Sequence, residues 1–264
     1  PSYKVRSGDE IEVDLVELPP ARFDPENIPL DIVFEDEFLA VINKPAGLVV
    51  HPGAGVQNGT LANAIAYHFG VVSTARVTDI SNRVGIVHRL DKDTSGLIVV
   101  AKNDEVHELL SDEFRDRKVF KSYVALVHGS PDRNSGTIDA PIGRNKHNRL
   151  RMKVTAHGRR AISVWKARSR FDKFTLLEIE IKTGRTHQIR VHTAYINHPV
   201  VGDEVYNEGR DKTVADTNVR NAINSLGRFF LHAEQLSFTH PKTGERMEFK
   251  QEMPDELADF LHKL

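Results

Sequence analysis

At 264 residues, with 39% hydrophobic and 28% charged side chains, the chain has the make-up of a folded protein of one large domain or two small ones. The absence of cysteine excludes a thiol nucleophile, a disulfide framework and cysteine-ligated zinc. No apolar run approaches the roughly 18 residues that a membrane-spanning helix needs, so no membrane partner is expected.

The chain opens on Pro1-Ser2-Tyr3-Lys4, neither an initiator methionine nor a signal peptide, so an N-terminal truncation is expected, and the lack of cysteine fits an expected cytoplasmic location. Residues 3–17 read as strand-like, with Ile11, Val13 and Leu15 alternating against acids. Pro19, Pro20, Pro25 and Pro29 then make a semi-rigid joint, where a domain boundary is placed. Short strands are expected at 32–34 and 38–43, and a helix over 60–69 with Leu61, Ala64, Ile65 and His68 on one face. The continuous apolar run 97–101 suits a strand covered on both faces. A helix over 103–117 follows, with Val106, Leu109, Leu110 and Phe114 at helical spacing and Asn103 or Asp104 as cap. Strands are expected over 121–128, 161–170, 174–182 and 229–238, and helices over 186–197 and 254–264. Strands outnumber helices without alternating strictly with them. The expected class is therefore α+β (mixed α/β), a large, mostly antiparallel mixed sheet flanked by helices.

The net charge of −1 argues at first against a polyanionic partner, but the charges are polarised. Residues 140–171 carry ten Lys or Arg and no acid, whereas residues 9–37 carry eleven acids against Arg22 alone. A long one-signed basic run gives a field that a phosphate backbone can use through counterion release, although most charge runs are solvated surface.

Three segments carry candidate chemistry. His88-Arg89-Leu90-Asp91-Lys92-Asp93-Thr94-Ser95-Gly96 stands just outside the apolar strand, either as a displayed reactive loop or as a self-capping polar turn. Thr183-Gly184-Arg185-Thr186-His187-Gln188-Ile189-Arg190-Val191-His192 turns from a strand into a helix, an anion site or an ordinary capped helix. Its histidines lack metal-helix spacing, so no metal is expected. In Lys121-Ser122-Tyr123 the tyrosine shares a face with Ala125 and Val127 and is expected to be buried.

Together these segments resemble the pseudouridine synthases that modify large-subunit (23S) ribosomal RNA and some transfer RNA. The similarity runs in order from Pro29 to His240. It includes Asn43-Lys44-Pro45-Ala46-Gly47, His51-Pro52-Gly53, His198-Pro199, Gly202-Asp203, Tyr206 and Leu231-His232-Ala233. The resemblance implies a cofactor-free isomerisation on a flipped-out uridine in a basic cleft. Asp91 would be the catalytic nucleophile, Arg185 would pair with it, and Tyr123 would pack on the base and transfer a proton. It also implies RNA contacts from Arg89, His88, Lys44, His51, Arg144, Arg149, Arg151, His187 and Arg190, with Arg89 filling the space left by the base. Residues 1–18 would be the remnant of an N-terminal RNA-binding module, 19–30 a linker, and 31–264 the catalytic domain of a monomer. Ribosomal RNA is the expected partner, with transfer RNA, a non-catalytic RNA-binding protein and a hydrolase as the alternatives weighed.

Overall fold

The computed structural model describes residues 6–10, 12, 24–53, 55–70, 85–145, 148 and 151–264. Most of the strand expected over 3–17 and of the proline joint lies outside them. The described elements begin with the hairpin of β1 (Ile32–Glu35) and β2 (Leu39–Lys44), turned on Asp36, whose carboxylate accepts the Phe38 and Leu39 amides at 2.7 and 2.8 Å. Helix α1 (Leu61–His68) starts in a capping box between Thr60 and Asn63. β3 (Ser95–Ala101) leads to α2 (Asp104–Arg115), where Asn103 supplies the cap by accepting from the Val106 amide at 2.9 Å. Next come β4 (Phe120–His128), β5 (Ser135–Asp139), the small hairpin of β6 (Ile142–Arg144) and β7 (Met152–Val154), β8 (Ile162–Arg170) and β9 (Phe174–Ile181). After α3 (Gln188–Tyr195) and a 3-10 turn, α4 (Thr217–Leu226), β10 (Leu231–Thr239), β11 (Arg246–Lys250) and α5 (Asp255–Leu261) complete the chain.

The main sheet runs β1-β2-β3-β10-β4-β9-β8-β5, with β11 added to β10. Every pairing is antiparallel except β3 with β10, so the sheet is mixed and mostly antiparallel, as expected. Both faces of β2 and β3 are covered. Ile42, Ile98 and Val100 meet Leu61 and Ile65 of α1 in one core, while Leu39, Val41, Leu97 and Val99 join Val106 and Leu110 of α2 in the other. That double cover is why 97–101 is apolar without alternation.

The parallel joint is short, pairing Ser95 and Gly96 with His232 and Ala233. Gly96 has φ +111°, and a Cβ there would fall 2.3 Å from the Ala233 carbonyl oxygen, so only glycine fits this crossing. Ser122 opposes Glu180 and Ser163 opposes Ile181. The start of β4, the end of β9 and the start of β8 therefore share one end of the sheet.

Sequence patterning did not foresee β5, β6, β7, β11 or α4. β11 alternates half-buried and exposed residues, and α4 buries only Val219 and Ile223. The missed signs of α4 were its ends: Asp216 accepts from the Asn218 and Val219 amides at 2.7 and 3.2 Å, and Gly227 closes the helix at φ +64°.

Candidate active site

The loop before β3 is tied down on both sides, which fixes where Asp91 stands. Lys44 is fully buried, and its ammonium donates to the carbonyls of Pro45, Leu48 and Lys92 at 2.7, 2.9 and 2.9 Å. Burial first, and then the charge of Arg228, lower its pKa to about 7, against the raising influence of Asp93 and Asp91. The Ser95 hydroxyl is held 3.0 Å from His232 Nδ1 and accepts from Arg228 at 3.0 Å, and Arg228 also reaches Glu256 of α5 at 3.2 Å. On the opposite side His88 stacks on Phe114 with centroids 4.5 Å apart, and its Nε2 accepts the Val99 amide at 3.1 Å. Burial, and secondarily the Lys121 charge, lower the His88 pKa to about 3, so the ring is neutral.

Within the motif at 183–192, helical phase decides the roles. Gln188 and His192, four residues apart, face β8: Gln188 donates to the Ile162 carbonyl at 2.9 Å, and His192 Nδ1 lies 2.9 Å from the Ser163 hydroxyl. His187 and Arg190, three apart, face Asp91. Arg190 donates from Nη1 to Asp91 at 3.1 Å, and from Nε and Nη2 to Asp203 at 2.6 and 2.9 Å. Its guanidinium lies between the rings of Phe229 and Tyr206, 4.2 and 5.0 Å from their centroids. Burial opposes this charge, but Asp203 and Asp91 outweigh it and hold the Arg190 pKa above its ordinary value. His187, at φ +55°, places Nε2 4.0 Å from Asp91 and Nδ1 2.8 Å from the Tyr206 hydroxyl. That hydroxyl also accepts the Met152 amide at 2.9 Å, so one phenol links His187 to the β6–β7 hairpin. Burial lowers the His187 pKa against the pull of Asp91.

Several expected roles are therefore corrected. Arg185 does not pair with Asp91; it donates from Nε to the Arg160 carbonyl at 3.0 Å, and Arg190 takes the pairing position. Arg190, expected among the RNA contacts, has only 6% of its side chain exposed and faces Asp91, and His187 stands beside the same carboxylate. Lys44 and His88 face inward because backbone groups of neighbouring segments engage their polar atoms. Arg151 donates to the Val205 carbonyl and lies 5.5 Å over the Tyr206 ring, which fastens the β6–β7 hairpin to the site. Arg89 and Arg144 are exposed, while half-buried His51 has Nδ1 2.9 Å from the Pro52 carbonyl. Arg149 lies outside the described residues.

Tyr123 is buried as expected. Burial, and secondarily the charge of Asp91, raise its pKa, so the phenol is neutral and not a standing base. The side chain of Asp91 remains 17% exposed, which leaves it open to a reactant. Asp203, Tyr206 and Phe229 were not assigned roles from the sequence, although the first two stood in the quoted motifs. Among the described residues no three His, Asp or Glu side chains cluster as metal ligands would, and no helix is long and apolar enough to cross a membrane.

Comparison with known proteins gives these residues a context. The family described as RNA pseudouridylate synthase matches residues 38–195, the stretch that holds Asp91, Tyr123 and Arg190. Ribosomal large subunit pseudouridine synthase D of Zymomonas mobilis is 42% identical over 97% of this chain and 80% of that protein. The protein of the same name from Pseudomonas aeruginosa is 44% identical over 97% of this chain and 78% of its own length. The RNA pseudouridine synthase YlyB of Bacillus subtilis is 43% identical over 100% of this chain and 82% of that protein. Among solved structures, human RNA Pseudouridylate Synthase Domain Containing 1 superposes with a TM-score of 0.66 at 25% identity, covering 92% of this chain and 90% of that one. The chain belongs to the RNA pseudouridine synthases, enzymes that isomerise uridine to pseudouridine.

Proposed function

We propose that this enzyme acts on uridines of large-subunit ribosomal RNA and that Asp91 is its reacting carboxylate. The observation that carries the chemistry is the Arg190–Asp91 contact of 3.1 Å at a carboxylate still open to solvent. The reaction breaks the N1–C1′ bond, turns the base and forms C5–C1′; the proton lost at C5 is balanced by one gained at N1. No electrons are exchanged, so the reaction itself needs no redox partner. A carboxylate suits it because it can attack or accept a proton and later leave. A paired uridine must first leave its stack, at a cost of about a few kcal/mol, and Arg89, which is exposed, would fill the vacancy. Tyr123 would supply a flat neutral surface for the extruded base. The large-subunit target is supported by the names of the relatives from Zymomonas and Pseudomonas.

Tritium release from RNA labelled at uridine C5 tests the chemistry. Wild type should release label, and Asp91→Asn should be slower by at least about a thousandfold. Equal, negligible release from both would leave only an RNA-binding protein. Carbodiimide primer extension on unmodified ribosomal and transfer RNA transcripts tests the target, and stops on transfer RNA alone would overturn it.

A further inference from the structure

The end of the sheet where β4 begins, β9 ends and β8 begins collects Arg117, Lys118, Arg159, Arg160, Lys182 and Arg185. Nearby acids are already engaged: Asp116 with Lys118 at 3.1 Å, Asp139 with Arg160 at 4.0 Å, and Glu180 with Lys182. Among the described residues Arg117 and Arg159 have exposed side chains without an ion pair or side-chain hydrogen bond. Arg185 commits only its Nε, to the Arg160 carbonyl. A cavity of about 220 Å³ opens here, lined by Arg117, Lys118, Glu180 and Lys182 among others. The site is close, since Arg185 is two residues before His187, whose ring stands 4.0 Å from Asp91.

We propose that Arg117, Arg159 and Arg185 form a clamp for backbone phosphates of the RNA strand beside the extruded uridine. Three guanidiniums without carboxylate partners repel one another until an anion arrives, and their planar forks match phosphate oxygens. Burial, followed by the positive charges of Arg159 and Arg117, lowers the Arg185 pKa, which is the electrostatic trace of that crowding. The clamp also gives Arg185 a task now that Arg190 occupies the place beside Asp91. This inference rests on RNA being the substrate.

The test is the salt dependence of binding to an unmodified large-subunit ribosomal RNA transcript. Wild type, Arg117→Gln, Arg159→Gln and the double variant would be compared with Lys173→Gln, which removes a charge at the opposite end of β9. Each clamp substitution should make the slope of log K against log salt shallower by about 0.7–0.9, and the double variant by about twice that. Lys173→Gln should keep the wild-type slope. Wild-type slope and affinity in the double variant would overturn the clamp, as would an equal change in Lys173→Gln. Tritium release by wild type separates the two readings. Failure to release label defeats the proposed function, whereas active wild type with unchanged slopes defeats only the clamp.

Discussion

Asp203 grips Arg190 through two nitrogens, at 2.6 and 2.9 Å, leaving the third to meet Asp91 at 3.1 Å. Asp203 is fully buried, so it fixes the arginine without competing for substrate. Asp203→Asn keeps the shape but removes the counter-charge. It should destabilise the fold by about 3 kcal/mol and reduce kcat/KM by about 10- to 100-fold. Urea melts and single-turnover assays on folded protein check both; unchanged turnover would show that Arg190 needs no anchor.

Phe229 and Tyr206 enclose the same guanidinium. Phe229→Leu keeps an apolar side chain but removes the ring face, a contact worth about 1–2 kcal/mol at a desolvated site. Turnover should fall several-fold with KM for RNA little altered. A change in KM alone would place Phe229 in binding and not in positioning.

His88 makes the fold sensitive to acid. Its folded pKa is lowered to about 3 from an ordinary 6.5, so the unfolded chain binds the extra proton between those values. Its stabilisation is complete above about pH 6.5 and is lost as pH falls toward 3, about 2 kcal/mol of it between about pH 7 and pH 5. His88→Gln keeps an acceptor for the Val99 amide and should flatten that part of the profile. Parallel urea midpoints for the two proteins would refute the assignment.

Lys44→Met fills the space but leaves three carbonyls without their donor, at a cost of about 2–4 kcal/mol. The effect should appear in the melting temperature, whereas RNA affinity measured on folded protein should be unchanged. An affinity loss without a stability loss would restore Lys44 as an RNA contact.

Much of the frame was legible because local patterns and tertiary demands agreed. The run at 97–101 was apolar since helices cover both its faces, and Asn103 was a readable cap. The loop position of Asp91 and the burial of Tyr123 were legible, but the arginine that meets Asp91 was not. The motif offers Arg185 and Arg190, and helical phase was the available discriminator: Arg190 lies three residues after His187 on the face away from Gln188 and His192. Lys44 was expected as an RNA contact, and its buried setting was hidden because the carbonyls that hold it belong to two loops, one of them 48 residues away. Asp203 and Phe229 acquire meaning only once long-range packing brings them around Arg190.

The parallel joint governs when the enzyme can first exist. Ser95 waits for His232, 137 residues later, to complete its side of the sheet. Such distant closure is slow and entropically costly, so a growing chain on the ribosome carries an unfinished β3 edge until β10 has emerged. Competence to modify RNA therefore waits for β10, and a polypeptide released before residue 232 would lack the partner that holds Ser95 at the far side of the Asp91 loop.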